Sequence, residues 1–282
     1  MSTTTVNHAF QASCDTTFNI GWSTVRGQAS SEATTNNECN AESSAVSDPR
    51  YKIKRGFITF NTNGALPAGY KVHSVVLSIS WDSGFGNQGY YVVPNDMASP
   101  TAIAKSDYSK LTGTAYSSKF SGSGTQNVTL TGLTVNNSGY TQIGIIHYYD
   151  YENSTPPTGT HGISGTRNAS LVITYTTTPT VTTGSVTNLM PISATLGGNV
   201  TNAGGGTVSS RGVCWSTSAN PTTANSKATS AGSTGAFTVS ATSLLPGTLY
   251  NYRAFVTTEN STQYGSNLTF RTPGGAVLFN LL

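Results

Sequence analysis

Apolar and polar residues alternate two apart along almost the whole chain, and this pattern predicts a protein made of strands. Val75, Leu77, Ile79 and Trp81 fall on one side of a strand, with Val76, Ser78 and Ser80 on the other. Ile143, Ile145, His147 and Tyr149 repeat the pattern, as do Leu171, Ile173 and Tyr175, and Val128 to Leu133 is a shorter version. Tyr51 to Phe60 reads as one strand with Ile58 and Phe60 on one face and Phe57 on the other. No window joins helical periodicity to helix caps. Turn signals punctuate the strands at Leu66-Pro67-Ala68-Gly69, at Gly84 to Gly89 and at Pro156-Pro157-Thr158-Gly159. Residues 1–177 are therefore expected to form a jelly-roll-like β-sandwich for assembly or docking.

A second run of strands occupies 178–273. Ile192, Ala194, Leu196 and Val200 form one strand face, interrupted at Gly198, and Val213 with Trp215 forms the next. A buried Trp there would fill the middle of a sandwich. Phe237 and Val239 precede Leu244-Leu245-Pro246-Gly247-Thr248-Leu249-Tyr250, where one strand ends, the chain turns at Pro-Gly, and a strand of alternating aromatics begins. That is the corner at which a Tyr near a strand start ties its hydroxyl back to the backbone. Leu268 and Phe270 close the domain. About seven short strands in this length is the arithmetic of an immunoglobulin-like sandwich.

The run Thr176-Thr177-Thr178-Pro179-Thr180 reads as the linker, extended and fairly stiff. Beyond the second module, Gly274-Gly275 leads into a tail carrying Val277, Leu278, Phe279, Leu281 and Leu282. Such a tail is an aggregation hazard in water. It either folds back on its own domain or adds as a strand to a neighbour. The second is favoured, because the sandwich is already complete at Thr272.

Composition sharpens the picture. Of 282 residues only 9% are charged, against roughly 25% in an average soluble domain. Ser, Thr, Asn and Gly make the surface instead, as in many extracellular and virion β-proteins. Aromatics at 10% argue against disorder. The net charge of +3 is thinly spread. Its one cluster, Arg50, Lys52, Lys54 and Arg55, reads as a solvated or edge-strand face rather than a nucleic-acid patch, since counterion release needs several phosphates neutralised together. No stretch approaches about 18 consecutive apolar residues, so no membrane span is expected. The start, Met1 to His8, lacks the basic and apolar segments of a secretory leader, so a chain that truly starts at Met1 is expected to be made and released inside the cell.

Candidate chemistry is sparse. Asp150 and Glu152, near His147, are the densest polar group, and in an extended strand they would share a face as a glycosidase pair might. A solvated turn beside Pro156-Pro157 is the simpler account, and no catalytic residue is expected. Three cysteines without CxxC spacing do not make a zinc site. Cys14 and Cys39 either pair or remain thiols, and Cys214 reads as a buried thiol. Asp82, Asp96, Asp107, Asp150 and Glu152 show no calcium-loop spacing. No metal and no cofactor are therefore expected. Tyr90, Tyr91, Tyr148, Tyr149 and Tyr151 are candidate glycan contacts, because flat rings stack on sugar faces. Alternation nevertheless buries some of them as core.

Two resemblances add to this reading. Ala194-Thr195-Leu196-Gly197-Gly198-Asn199-Val200, Arg211-Gly212-Val213-Cys214-Trp215-Ser216, Leu244 through Ala254, and Tyr264-Gly265 before Leu268-Thr269-Phe270 together resemble a fibronectin type III-like module. Such modules recur in bacterial surface and phage structural proteins, and the resemblance implies a fold without catalytic residues. Arg55-Gly56-Phe57-Ile58-Thr59-Phe60, Leu66-Pro67-Ala68-Gly69-Tyr70-Lys71-Val72, Val75 through Ile79 and Leu171 through Tyr175 more weakly resemble DNRLRE-type jelly rolls. Overall the chain is similar to phage virion surface proteins. The resulting expectation is a non-enzymatic structural protein of a bacteriophage virion: a capsid decoration, head-fibre or tail-associated subunit. Its partners would be other virion proteins or copies of itself, and a cell-surface glycan is a further candidate. The alternative is a secreted bacterial carbohydrate-binding adhesin or surface filament subunit.

Overall fold

The computed structural model describes residues 1–18, 32–34, 41–47, 50–85, 89–96, 99–100, 111, 113–121, 124–157 and 159–275. Two compact units emerge. One comprises Thr3–Pro67 with Val72–Thr174, the other Tyr175–Leu282 with Met1–Ser2 and Ala68–Lys71. Both are built from strands, so the all-β class read from the alternation is correct.

The first unit carries β1 (Ser2–Phe18), β2 (Glu32–Thr34), β3 (Ala41–Ser47), β4 (Arg50–Asn61), β5 (Lys71–Phe85), β6 (Tyr90–Pro94), β7 (Gly124–Leu130), β8 (Tyr140–His147) and β9 (Gly159–Thr176). Hydrogen bonds join all nine into one network, and the pairings of β1 with β4, β4 with β3, β3 with β9 and β9 with β1 close a ring. β4 sits at the centre. Along one edge it meets β1, from His8 opposite Phe60 to Phe18 opposite Tyr51. Its other edge is shared, with β3 against its first half and β8 against its second. Lys54 and Arg55 therefore lie on an interior strand. This corrects the edge-strand reading of the basic cluster.

Burial follows the sequence pattern closely. Val75, Leu77, Ile79 and Trp81 are buried, while Val76, Ser78 and Ser80 are half-exposed. Ile53, Phe57, Ile58 and Phe60 are all inaccessible, so β4 is covered on both faces. Ile53 and Phe57 join Val93, Leu111, Ile146 and Tyr149 in a cluster of their own. Each such side chain contributes about 1.5–3 kcal/mol by leaving water. β7 begins earlier and ends sooner than the Val128–Leu133 pattern indicates, because Leu133 falls in a loop. β8 ends at His147, and the chain then turns into one helical turn, α1 (Tyr148–Tyr151). Tyr149 consequently leaves the strand to which its spacing assigned it.

The second unit is a sandwich. β10 (Thr180–Thr187), β11 (Ala194–Asn202) and β14 (Gly235–Ala241) form one sheet. The other contains β13 (Ser226–Thr229), β12 (Val208–Ser216), β15 (Leu249–Thr258), β16 (Thr262–Tyr264) and β17 (Leu268–Arg271). β12 occupies one full edge of β15, so β16 and β17 take successive stretches of the other. Three strands thus face a layer effectively four strands wide, as the fibronectin type III-like resemblance implies. Trp215, Tyr252, Phe270, Leu196, Val213 and Val256 fill the space between. Gly198 interrupts its strand for a packing reason. It lies opposite Phe237, and a Cβ there would stand 2.5 Å from Phe237 Cζ and 2.7 Å from Ala254 Cβ.

At the Pro-Gly corner, Gly247 takes φ +65°, a region glycine enters without steric cost. The Leu245 N–H donates to Tyr250 Oη at 3.0 Å, the backbone tie expected there. Cys214 is a buried thiol; its Sγ–H is shared between the carbonyls of Pro221 and Arg253 at 3.3 and 3.4 Å, and burial pushes its pKa up. Arg211 is also buried. Its guanidinium donates to the carbonyls of Ala231, Ser233, Thr234 and Gly235 and lies 4.9 Å above the Phe237 ring. One cation thus organises the whole 231–235 loop, with no carboxylate partner among the described residues.

Candidate functional site: the aromatic cluster around Tyr148–Tyr151

The five tyrosines singled out by the sequence converge on one place in the first unit. Two short elements, β6 and α1, bring them together. His147 holds an extended backbone before the helical turn, and its Nδ1 accepts the Tyr149 N–H at 3.4 Å, acting as an N-cap. The turn closes with the Glu152 N–H donating to Tyr148 O at 2.8 Å. Asn153 follows at φ +55°, the left-handed residue that commonly stops a helix.

Within the cluster the rings differ sharply in exposure. Tyr90 is wholly buried, with Trp81 at 5.7 Å, Phe120 at 5.8 Å and His147 at 5.5 Å between ring centroids. Among the described residues its hydroxyl finds no hydrogen-bond partner, and burial raises its pKa steeply. Tyr149 is 8% exposed, between Tyr148 at 4.0 Å and His161 at 5.7 Å. Tyr91, Tyr148 and Tyr151 are half-buried and pack against the inner cluster. Tyr91 lies 4.3 Å from Tyr151, and the Lys119 ammonium sits 4.6 Å from the Tyr148 centroid. The ring faces are thus largely occupied by one another. Edges and hydroxyls are what the group offers a partner.

The two carboxylates nearby part company. Asp150 points inward and takes a bidentate pair from Arg55, with Nε 2.6 Å from Oδ2 and Nη2 2.9 Å from Oδ1. Both side chains are buried, at 8% and 1% exposure. Glu152 points outward, accepting from Tyr91 Oη at 2.7 Å and standing 3.8 Å from Lys119 Nζ. Residues two apart on a helical turn face opposite ways, so the shared face expected of an extended strand does not form. Burial, and next the Glu152 carboxylate, push the Tyr91 hydroxyl up to about 12.

Arg55 is the participant that sequence reasoning missed. The available signal was its place between Ile53 and Phe57, two residues either side on one strand face. A cation in the middle of an inward-facing apolar row requires a buried partner.

Cys39, the side chain of Cys14, and the tail residues Val277, Leu278, Phe279, Leu281 and Leu282 lie outside the described residues. So do Asp107 and the side chain of Asp82. Among the described residues no three of His, Cys, Asp and Glu gather as a metal site would require. No described helix is long and apolar enough to cross a membrane.

In the second unit four of the large exposed apolar residues collect around one end, while Leu268 lies along β17. Met190 and Ile192 occupy the turn before β11, and Leu245 and Leu249 flank the Pro-Gly corner. The Leu244 N–H donates to Ile192 O, and the Gly247 N–H to Pro273 O, each at 3.0 Å. These bonds bring both turns and the exit of the chain at 273–275 to the same end.

No family model matches the chain, and no curated protein matches it. Among solved structures it is similar to the sensor domain of the anti-sigma factor RsgI4 from Pseudobacteroides cellulosolvens. That match has 16% identity and a TM-score of 0.26, over 34% of this chain and 95% of the other. A three-domain segment of titin matches at 9% identity and TM-score 0.28, over 96% of this chain and 100% of that one. The FN1–FN3 domains of chicken CNTN1 match at 15% identity and TM-score 0.28, over 93% and 91%. At these TM-scores none carries an argument about function. The chain's own strand order defines its class: an all-β protein whose second unit is a fibronectin type III-like sandwich.

Proposed function

We propose that this chain is a non-catalytic structural protein that works by surface contact, as an external subunit of a bacteriophage particle that associates with copies of itself. The observation that carries the reading is the apolar end of the second unit. Ile192 is 60% exposed and Leu245 63%, beside the point where the chain leads into its apolar tail. Scattered exposed leucines need no explanation, but a group of them marks a contact surface. The charge-poor, hydroxyl-rich composition supports a place on a particle exterior, where decoration, head-fibre and tail-associated subunits sit. The burial of Asp150 against Arg55 supports a structural rather than catalytic role for the densest polar group. Deleting 274–282 is the test. The truncated chain should stay folded by circular dichroism and lose assembly in electron micrographs; normal assembly would contradict the reading.

A second reading, a secreted bacterial adhesin, is favoured by the half-exposed rings of Tyr91, Tyr148 and Tyr151. It predicts glycan-array binding that Tyr148→Ala abolishes. An array without signal contradicts it.

A further inference from the structure

Two neighbouring loops of the second unit, 188–193 between β10 and β11 and 242–248 between β14 and β15, form an apolar surface with Leu249 at the start of β15. Met190, Ile192, Leu245 and Leu249 are its exposed side chains. The Leu244 N–H bond to Ile192 O holds the two loops side by side. Residues 186–194 and 242–250 contain no charged side chain, so neither loop carries the Lys or Glu that usually deters self-association. Arg271 reaches this corner, but its guanidinium is engaged with Gly247 O at 2.7 Å.

β17 delivers the chain to the same place and clamps it there. Thr272 Oγ1 donates to Leu245 O at 2.6 Å and accepts the Thr248 N–H at 2.9 Å, and the Gly247 N–H donates to Pro273 O at 3.0 Å. Beyond Pro273 the attachment stops. Gly274 and Gly275 are exposed, and among the described residues neither makes a backbone hydrogen bond. A Cβ on Gly274 would meet nothing within 4 Å, and one on Gly275 would stand 3.9 Å from Pro246 Cβ. Residues 276–282 then follow, with five large apolar side chains and no charge. An apolar segment thus leaves its own domain unattached beside an apolar surface.

We propose that 276–282 of one copy lies on the Met190, Ile192, Leu245 and Leu249 surface of a second copy, which returns its own segment to the first. This rests on the reading that copies of the chain associate, and it names the contact. The place where the segment leaves and the surface that receives it share one end of the unit. Two copies meeting end to end by a twofold therefore satisfy both segments and both surfaces at once, and the contact closes as a dimer. A donor and an acceptor at opposite ends would build an open chain of subunits instead. Gly274-Gly275 is the hinge for the exchange, since glycine takes whatever backbone angles the crossing requires.

Sedimentation velocity on three chains tests the exchange: the full chain, the chain ending at Pro273, and the full chain with Ile192→Asp and Leu245→Asp. Circular dichroism checks that each variant is folded, and Ile192→Ser with Leu245→Ser replaces the aspartates if they are not. The full chain should form a dimer, and each variant alone should be a monomer. An equimolar mixture of the two variants should give a one-to-one heterodimer, because the tail of one meets the intact surface of the other. It should be at least about tenfold weaker than the parent dimer, with one seated tail in place of two. A mixture that stays monomeric while the full chain dimerises overturns the exchange and leaves self-association standing. Open-ended oligomers of the full chain, lost in both variants, overturn the closed dimer in the same way. A full chain that is monomeric, and associates only once the tail is removed, means that the tail caps its own domain; that result overturns both the exchange and the reading beneath it.

Discussion

Arg55 and Asp150, 95 residues apart in sequence, form a bidentate ion pair inside the first unit, joining the central strand β4 to the turn after β8. Desolvating two charges is costly, and the pair is held by geometry and hydrogen bonds that offset that cost. Removing one partner strands the other. Arg55→Met or Asp150→Leu alone should cost about 3–5 kcal/mol in urea unfolding. The double substitution should cost clearly less than the sum. Additive losses would mean that the pair is not coupled.

Tyr90 offers the opposite case. Its enclosed hydroxyl has no hydrogen-bond partner among the described residues, so the ring stabilises while the oxygen does not. Tyr90→Phe should leave stability unchanged or raise it by about 1 kcal/mol, read from the urea midpoint. A loss of that size would reveal a partner for the oxygen.

Tyr91 predicts a pH signature. Its folded value is about 12 against an ordinary 10.0, because burial and Glu152 favour the protonated form. An unfolded chain therefore releases this proton first. The stabilisation is fully present below pH 10 and is lost as pH rises towards 12. Tyr91→Phe should flatten this part of the stability profile relative to the parent chain. Parallel profiles would count against the Tyr91–Glu152 bond.

Gly198 tests the packing of the second unit. Gly198→Ala should destabilise by about 1–3 kcal/mol, since its new methyl meets Phe237 and Ala254. Gly274→Ala, with open space around it, should change stability by less than about 0.5 kcal/mol. Equal thermal midpoints for the two variants would refute the contact.

What could be read before the structure depended on how local the cause was. The Tyr250 tie to Leu245 spans five residues, and its turn chemistry is written in Pro246 and Gly247, so the corner was legible. Alternation likewise placed Val75 through Trp81 correctly, because period two needs no knowledge of neighbours. Arg55 was misplaced because its partner lies 95 residues away, and only the topology of β4 and β8 brings the two together. Tyr149 was assigned to a strand because nothing in its spacing announces that His147 caps a helical turn.

The most direct test of a contact-making role is sedimentation velocity of the full chain beside the double variant Ile192→Asp/Leu245→Asp. The full chain should show concentration-dependent oligomers, and the variant should sediment as a folded monomer. A parent chain that stays monomeric at every concentration, or a variant that assembles as the parent does, would contradict the account.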